Sequence, residues 1–268
     1  MTRPLPAGPD PGRTCEALGV TFHALTIERL NDLISRAITA RQRIVVGHHN
    51  LHSAYLFHRD PSMAAFYENA DWIHADGMPL IAIARIRGCR EVTRTHRITY
   101  ADWIDPLMAA AAAHGWKVFY LGSKPGVADR GAQILRDRHR DLHIHTRHGY
   151  FDATTLGREN QSVLETINAS DPDLLLVGMG MPRQERWVLE NAAAIRARAI
   201  LTSGACMDFV AGEFPTPPRW VGPLGFEWLH RLLHDPGRLA HRYLIEPWAL
   251  AGLLVRDLIG PRRGHHPL

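Results

Sequence analysis

The sequence predicts an α/β fold: a mostly parallel sheet with helices on both faces and a C-terminal helical segment. Three observations predict it. Short apolar runs alternate with helical stretches along most of the chain. Several runs are apolar throughout, as strands covered on both faces are. After Gly212 the composition shifts, and a proline-rich stretch leads into a basic, tryptophan-bearing tail.

The elements follow in order. Residues 43–47 (RIVVG) read as a buried strand, 62–69 as helix, 72–75 as a short strand and 79–87 as helix. A helix over 102–114 precedes the strand 116–122 (WKVFYLG) and the helix 127–138. A short strand at 143–146 and a helix at 162–169 lead to 173–178 (DLLLVG), the most apolar strand. Helix 184–193 and strand 199–203 complete the core. Ligands of such sheets sit beyond the carboxyl ends of the strands.

The 268 residues are 46% hydrophobic and 22% charged, which suits a soluble globular chain with its own core. The opening MTRPLPAGPDPGRTCE has no apolar run of signal length, so residues 1–15 read as a flexible lead. The core is expected over 16–212, a rigid connector with prolines 215, 217, 218 and 223 over 213–223, and the appendage over 224–268. No apolar run is long enough to predict a membrane-spanning helix. Cys15, Cys89 and Cys206 are an odd, widely spaced set. They predict neither a disulfide nor a zinc site, with a reducing compartment as the default.

From Arg219 onward seven arginines face four carboxylates, Glu227, Asp235, Glu246 and Asp257. A basic tail suits anionic lipid, a diphosphate or nucleic acid. No nucleic-acid module accompanies it, so no nucleic-acid partner is expected. Apolar and aromatic residues beside arginine fit a helix at a membrane interface, while periodicity alone favours packing on the core.

Glycine turns close three strands, at Gly122, Gly178 and Gly204. Such turns let backbone N–H groups approach a phosphate, although none matches a dinucleotide or P-loop pattern. Asp76, in His74-Ala75-Asp76-Gly77-Met78-Pro79, follows a strand. A carboxylate there can act as a general base, while the residues alone favour a helix cap. Gln184 and Glu185 open a helix after the best strand. His48, His49 and Asn50 follow the first strand without the acidic partners a metal site would need. No nucleophile elbow surrounds Ser53 or Ser123.

These residues together resemble a known family. Asp60-Pro61, Ala70-Asp71 and Ala75-Asp76-Gly77-Met78-Pro79 carry the resemblance, with Gly122-Ser123-Lys124-Pro125-Gly126 and Gly149-Tyr150-Phe151. So do the run from Pro172 to Glu185, Gly204-Ala205-Cys206-Met207-Asp208-Phe209, and the tail motifs Phe226-Glu227-Trp228 and Asp235-Pro236-Gly237-Arg238. In this order, over residues 16–248, the chain resembles the WecG/TagA/CpsF glycosyltransferases.

The resemblance implies a Rossmann-like α/β core with a C-terminal appendage, and inverting transfer of a sugar from a UDP-sugar donor to a polyprenyl-diphosphate-linked saccharide, at the cytoplasmic face of the inner membrane. No cofactor or obligatory metal is implied. Asp76 is implied as the base. Asn50, Tyr150, Gln184, Asp208, Arg231 and Arg238 are implied at the donor nucleotide and diphosphate, and His48, Arg97 and Arg242 near the substrate. Such transfer needs a base for the acceptor hydroxyl and positive groups for the departing diphosphate, which arginines supply in bidentate fashion.

Four positions depart from the family pattern. His48 stands for a threonine, Tyr100 for a glycine, and His241 for a third tail arginine, with Arg242 beside it. Thr216-Pro217-Pro218 replaces Arg-Ala-Pro. These bear on the sugar transferred more than on the reaction, and bring the chain nearer the exopolysaccharide branch. The competing expectation is a non-catalytic, membrane-associated nucleotide-binding protein; Asp76, Gln184 and the tail arginines argue against it.

Overall fold

The alternation of buried runs and amphipathic stretches builds one eight-stranded sheet of order β1-β2-β4-β3-β8-β7-β5-β6. The computed structural model describes residues 13–214, 229, 232, 233, 237 and 240–259. The strands are β1 (Thr14–Ala17), β2 (Val20–His23), β3 (Ile44–His49), β4 (Trp72–Ala75), β5 (Lys117–Gly122), β6 (His143–Arg147), β7 (Leu174–Gly178) and β8 (Ala199–Thr202). Only β1 and β2 pair antiparallel. Every residue of β4, β7 and β8 is buried, as the covered centre of a parallel sheet requires.

The helices are α1 (Ile27–Thr39), α2 (Leu51–Phe57), α3 (Pro61–Asn69), α4 (Met78–Ile86), α5 (Tyr100–His114), α6 (Val127–Arg138), α7 (Arg158–Ala169), α8 (Arg183–Asn191), α9 (Cys206–Val210) and α10 (Glu246–Ile259). Helices α1, α5, α6 and α9 pack on one face of the sheet. Helices α2, α3, α4, α7 and α8 pack on the other, with Leu250 of α10. The helix after β3 and the helix after β8 therefore leave neighbouring strands toward opposite faces. A crevice opens at that switch, beyond the strands' carboxyl ends.

The first forty residues hold elements that the sequence reading left unassigned. Leu18 and Gly19, at φ 51° and 83°, turn the chain between β1 and β2, as a two-residue hairpin loop requires. Thr14 and Cys15, at the end of the expected lead, belong to β1. Helix α1 follows with Thr26 accepting from Arg29 N at 3.3 Å, and buries Leu30, Leu33, Ile34 and Ala37 along one stripe. Elsewhere the expected elements recur with bounds shifted by a few residues at most; β4 and α6 match exactly the expected 72–75 and 127–138.

The cysteine expectation is corrected. Cys15 of β1 and Cys89, just past α4, form a disulfide with Cα atoms 6.0 Å apart. They are 74 residues apart in sequence. They meet because α4 packs against β1, an adjacency that sequence spacing does not report. The reducing-compartment default had rested on the absence of such a pair and loses that support.

Residues 1–12, most of the connector, and Arg231 and Arg238 of the appendage lie outside the described residues. Arg242 falls in a π-helical turn, His241–Ile245, with its side chain outside them. Among the described residues, no helix is long and apolar enough to cross a membrane.

Candidate active site

The ends of β3, β4, β5, β7 and β8 surround a cleft of about 720 Å³. His48, Asn50, Asp76, Tyr150 and Asp208 line it, so the fold brings together five of the residues singled out in the sequence.

Asp76 follows β4, and its N–H donates to His49 O at 2.7 Å. The helix cap that its residues alone favoured is not formed. Gly77, at φ +123°, occupies the cap position of α4 and no side chain bonds there. An L side chain rarely adopts that φ, so glycine permits the turn that leaves the Asp76 carboxylate at the cleft. Asn50 caps α2 instead, its Oδ1 accepting from Ser53 N at 3.0 Å. The same amide donates from Nδ2 to Asp76 Oδ2 at 3.3 Å.

His48 forms part of the floor and is 7% exposed. Its Nδ1 lies 3.2 Å from both Thr202 O and Thr202 Oγ1. Tyr100 donates from its hydroxyl to the same Thr202 carbonyl at 2.9 Å and meets the His48 ring edge-on at 6.2 Å. Two positions where the sequence departs from the family pattern thus form one packed wall. Beneath them His74 is buried with both ring nitrogens unpartnered, and burial pushes its pKa down to about 3. His49 points away from the cleft, bonded to Ser53 Oγ and Ala17 O, and burial lowers it to about 4. Both are therefore neutral core histidines near neutral pH.

On the far wall Ser123 donates from Oγ to Asp208 Oδ2 at 2.9 Å, and Tyr120 Oη lies 2.9 Å from the same hydroxyl. Asp208 sits in the first turn of α9, beside that helix's positive end. The strand-end glycines divide in purpose. A Cβ on Gly178 would stand 2.2 Å from Tyr120 Oη and 2.6 Å from Gly204 O. Gly178 is thus required by close packing of three strand ends, beyond any role in phosphate approach.

Gln184 and Arg97 do not line the cleft. Gln184 is fully buried; its Oε1 accepts from Gly180 N at 3.2 Å and Gly204 N at 3.0 Å. It joins the loops after β7 and β8 from behind. Its Nε2 donates to Glu185 Oε1 at 2.7 Å, and burial raises the Glu185 carboxyl to about 7. Arg97 donates to Asp102 Oδ2 at 2.7 Å, and its backbone bridges Ala75 next to Asp76.

The cleft also holds residues the sequence reading did not single out for the site. Lys124 and Arg183 add positive charge, while His52 and Glu246, beside the His241 that stands for a tail arginine, form the edge where the appendage meets the core. Arg183 donates to Phe151 O at 2.6 Å and lies 5.5 Å from the Phe151 ring centre, at the Tyr150 loop. Lys124 and Arg183 stand inside the motifs already quoted; the lone basic residue at a strand end was the available signal. His52 and Glu246, which lie 2.7 Å apart between Nδ1 and Oε2, carry no such signal.

A family description, "Glycosyl transferase WecG/TagA/CpsF family", matches residues 15–264. Two relatives from Staphylococcus aureus, strains MRSA252 and MW2, are each 28% identical over 203 residues, covering 75% of this chain and 73% of theirs. Both are named N-acetylglucosaminyldiphosphoundecaprenol N-acetyl-beta-D-mannosaminyltransferase. With the family match spanning nearly the whole fold and its cleft, this chain belongs to the WecG/TagA/CpsF family of glycosyltransferases.

Proposed function

We propose that the enzyme transfers a sugar, with inversion, from a UDP-sugar to a polyprenyl-diphosphate-linked saccharide, in cell-surface or exopolysaccharide synthesis at the inner membrane face. The observation that carries this is the Asp76 carboxylate, left out of any helix cap and held at the cleft by Asn50. The names of the staphylococcal relatives support the acceptor class.

In this reading Asp76 takes the proton from the acceptor hydroxyl as that oxygen attacks the anomeric carbon. The bond from that carbon to the diphosphate breaks, and the diphosphate leaves carrying the electron pair. Asn50, Tyr150 and Asp208 hold the nucleotide portion. Lys124 and Arg183 offset the charge that develops on the diphosphate. Arg231 and Arg238 of the appendage share that task, with Arg242 near the substrate. Gln184 acts by fixing the loops that carry Gly180 and Gly204. His48 and Tyr100 bound the space for the sugar, and their wall is where donor choice resides.

The outer side of the appendage supports a membrane-facing role. Leu244, Ile245, Trp248 and Val255 are 52%, 55%, 81% and 53% exposed. Such a patch suits the interface where a lipid-linked acceptor lies. The test is transfer of labelled sugar from UDP-glucose, UDP-N-acetylmannosamine and its uronic acid into lipid extract, with Asp76→Asn alongside. Labelling by the wild type alone supports the reading. Equal labelling by both removes Asp76 as the base, and labelling by neither from any donor, with a competent acceptor, removes the reaction.

A further inference from the structure

Helix α10 lies against the core through a narrow inner stripe. Leu250 is 3% exposed in the core cluster that includes α3 and α4, and Leu253 and Leu254 pack partly against it. One member of the stripe is not apolar. Glu246, four residues before Leu250, is 4% exposed. A carboxylate taken out of water is costly unless it is paired, so an apolar residue would dock this helix at less cost.

Glu246 is paired. Its Oε2 lies 2.7 Å from Nδ1 of His52 on α2. Its Oε1 lies 3.5 Å from Nδ1 of His241, in the turn leading into α10. An ionised carboxylate can only accept, so the His52 Nδ1–H donates. Glu246 stands where the π-helical turn His241–Ile245 passes into α10, within continuous helical backbone, so the pairing of its carboxylate falls to side chains. Tyr55, one turn along α2 from His52, meets the His241 ring edge-on at 6.2 Å.

Helix α2 also reaches the active site. Its cap, Asn50, donates to Asp76 at 3.3 Å, and His52 is two residues further on. A continuous run of contacts thus joins the appendage to the carboxylate at the cleft. Apolar docking is non-directional and would let α10 slide or rotate on α2. A short charge-assisted hydrogen bond fixes one register.

We propose that Glu246 is a positioning residue, a buried carboxylate that clamps the appendage to α2 through His52 and so sets the tail's placement relative to Asp76. What it positions rests on the transfer reaction proposed above; the clamp rests on the geometry of α2 and α10.

The experiment compares full-length wild type with Glu246→Ala, Glu246→Gln, His52→Ala and the double alanine variant. Backbone hydrogen exchange is read in α10 and in the sheet, and kcat and donor KM are read in lipid extract. In each single alanine variant α10 exchange is expected to rise about tenfold, the worth of one charge-assisted hydrogen bond, with sheet exchange unchanged. We expect kcat to fall by a similar factor while donor KM stays put. The double variant is expected to be no worse than Glu246→Ala, and Glu246→Gln to fall between.

Unchanged α10 exchange in Glu246→Ala would overturn the clamp. Looser α10 with unchanged kcat, or additive losses in the double variant, would overturn its positioning role. If sheet protection also falls in Glu246→Ala, Glu246→Gln decides by the same criteria. If the wild type transfers no sugar, the transfer reading and the positioning role fail together, and exchange still decides the clamp.

Discussion

Asn50 uses both ends of one amide, accepting from Ser53 N to start α2 and donating to Asp76 Oδ2 at 3.3 Å. The beginning of a helix and the orientation of a carboxylate are thereby a single unit. Asp76→Asn is expected to lower kcat by about 10²–10⁴-fold, the worth of a general base, with thermal stability unchanged. Asn50→Ala is expected to lose about 1 kcal/mol from the helix cap as well as activity. Transfer assays paired with thermal melts read both effects.

Gln184 satisfies two backbone donors from two loops. Gln184→Leu leaves Gly180 N and Gly204 N without that acceptor, and a buried orphan donor costs about 1–3 kcal/mol. The expected result is a lower denaturant midpoint and weaker nucleotide binding, although the side chain does not line the cleft. Unchanged stability with lost binding would instead place Gln184 on the ligand.

Glu185 gives stability a specific pH dependence. It is 1% exposed, and burial raises its carboxyl from 4.5 to about 7. The folded state therefore keeps a proton that the unfolded state has released between pH 4.5 and about 7. Its contribution is full below that window and falls as pH rises through it, by on the order of 3 kcal/mol. His49, lowered by burial from 6.5 to about 4, acts in the opposite sense, losing stability as pH falls. The difference between wild type and Glu185→Gln isolates the first effect: the variant should gain relative stability from pH 5 to pH 8 in urea titrations.

Trp248 is 81% exposed on the outer side of α10. If that side meets the membrane, Trp248→Ser should weaken binding to anionic vesicles about tenfold or more through lost apolar burial. Stability in solution should change by less than about 0.5 kcal/mol, since the side chain packs on little. Flotation with vesicles and a urea titration measure the two.

Some of the site was legible in the sequence because it is written in short runs. Asp76 follows β4 directly, and Asn50 follows β3. Ser123 and Lys124 follow β5, and the loops before α8 and α9 follow the two central strands. A parallel sheet gathers such positions at one edge whatever the details of packing. The role of Asp76 was less legible. Asp before Gly-x-Pro has the local signature of a cap, yet the turn at Gly77 moves the cap one residue on. The resemblance implies Gln184 at the donor, yet its amide turns toward two loops and does not line the cleft.

The sequence by itself determined the alternation of strands and helices, the apolar centre at β7 and β8, the set of strand-end residues and the family. Those properties repeat within a few residues, so local periodicity and motif order carry them. The tertiary structure decided what depends on residues far apart in the chain. It joined Cys15 to Cys89, packed His48 and Tyr100 onto Thr202, required Gly178 for strand packing, and set Glu246 against His52. Each of these is a contact chosen by the way helices cover the sheet, and a choice made by packing leaves no period in the sequence to read.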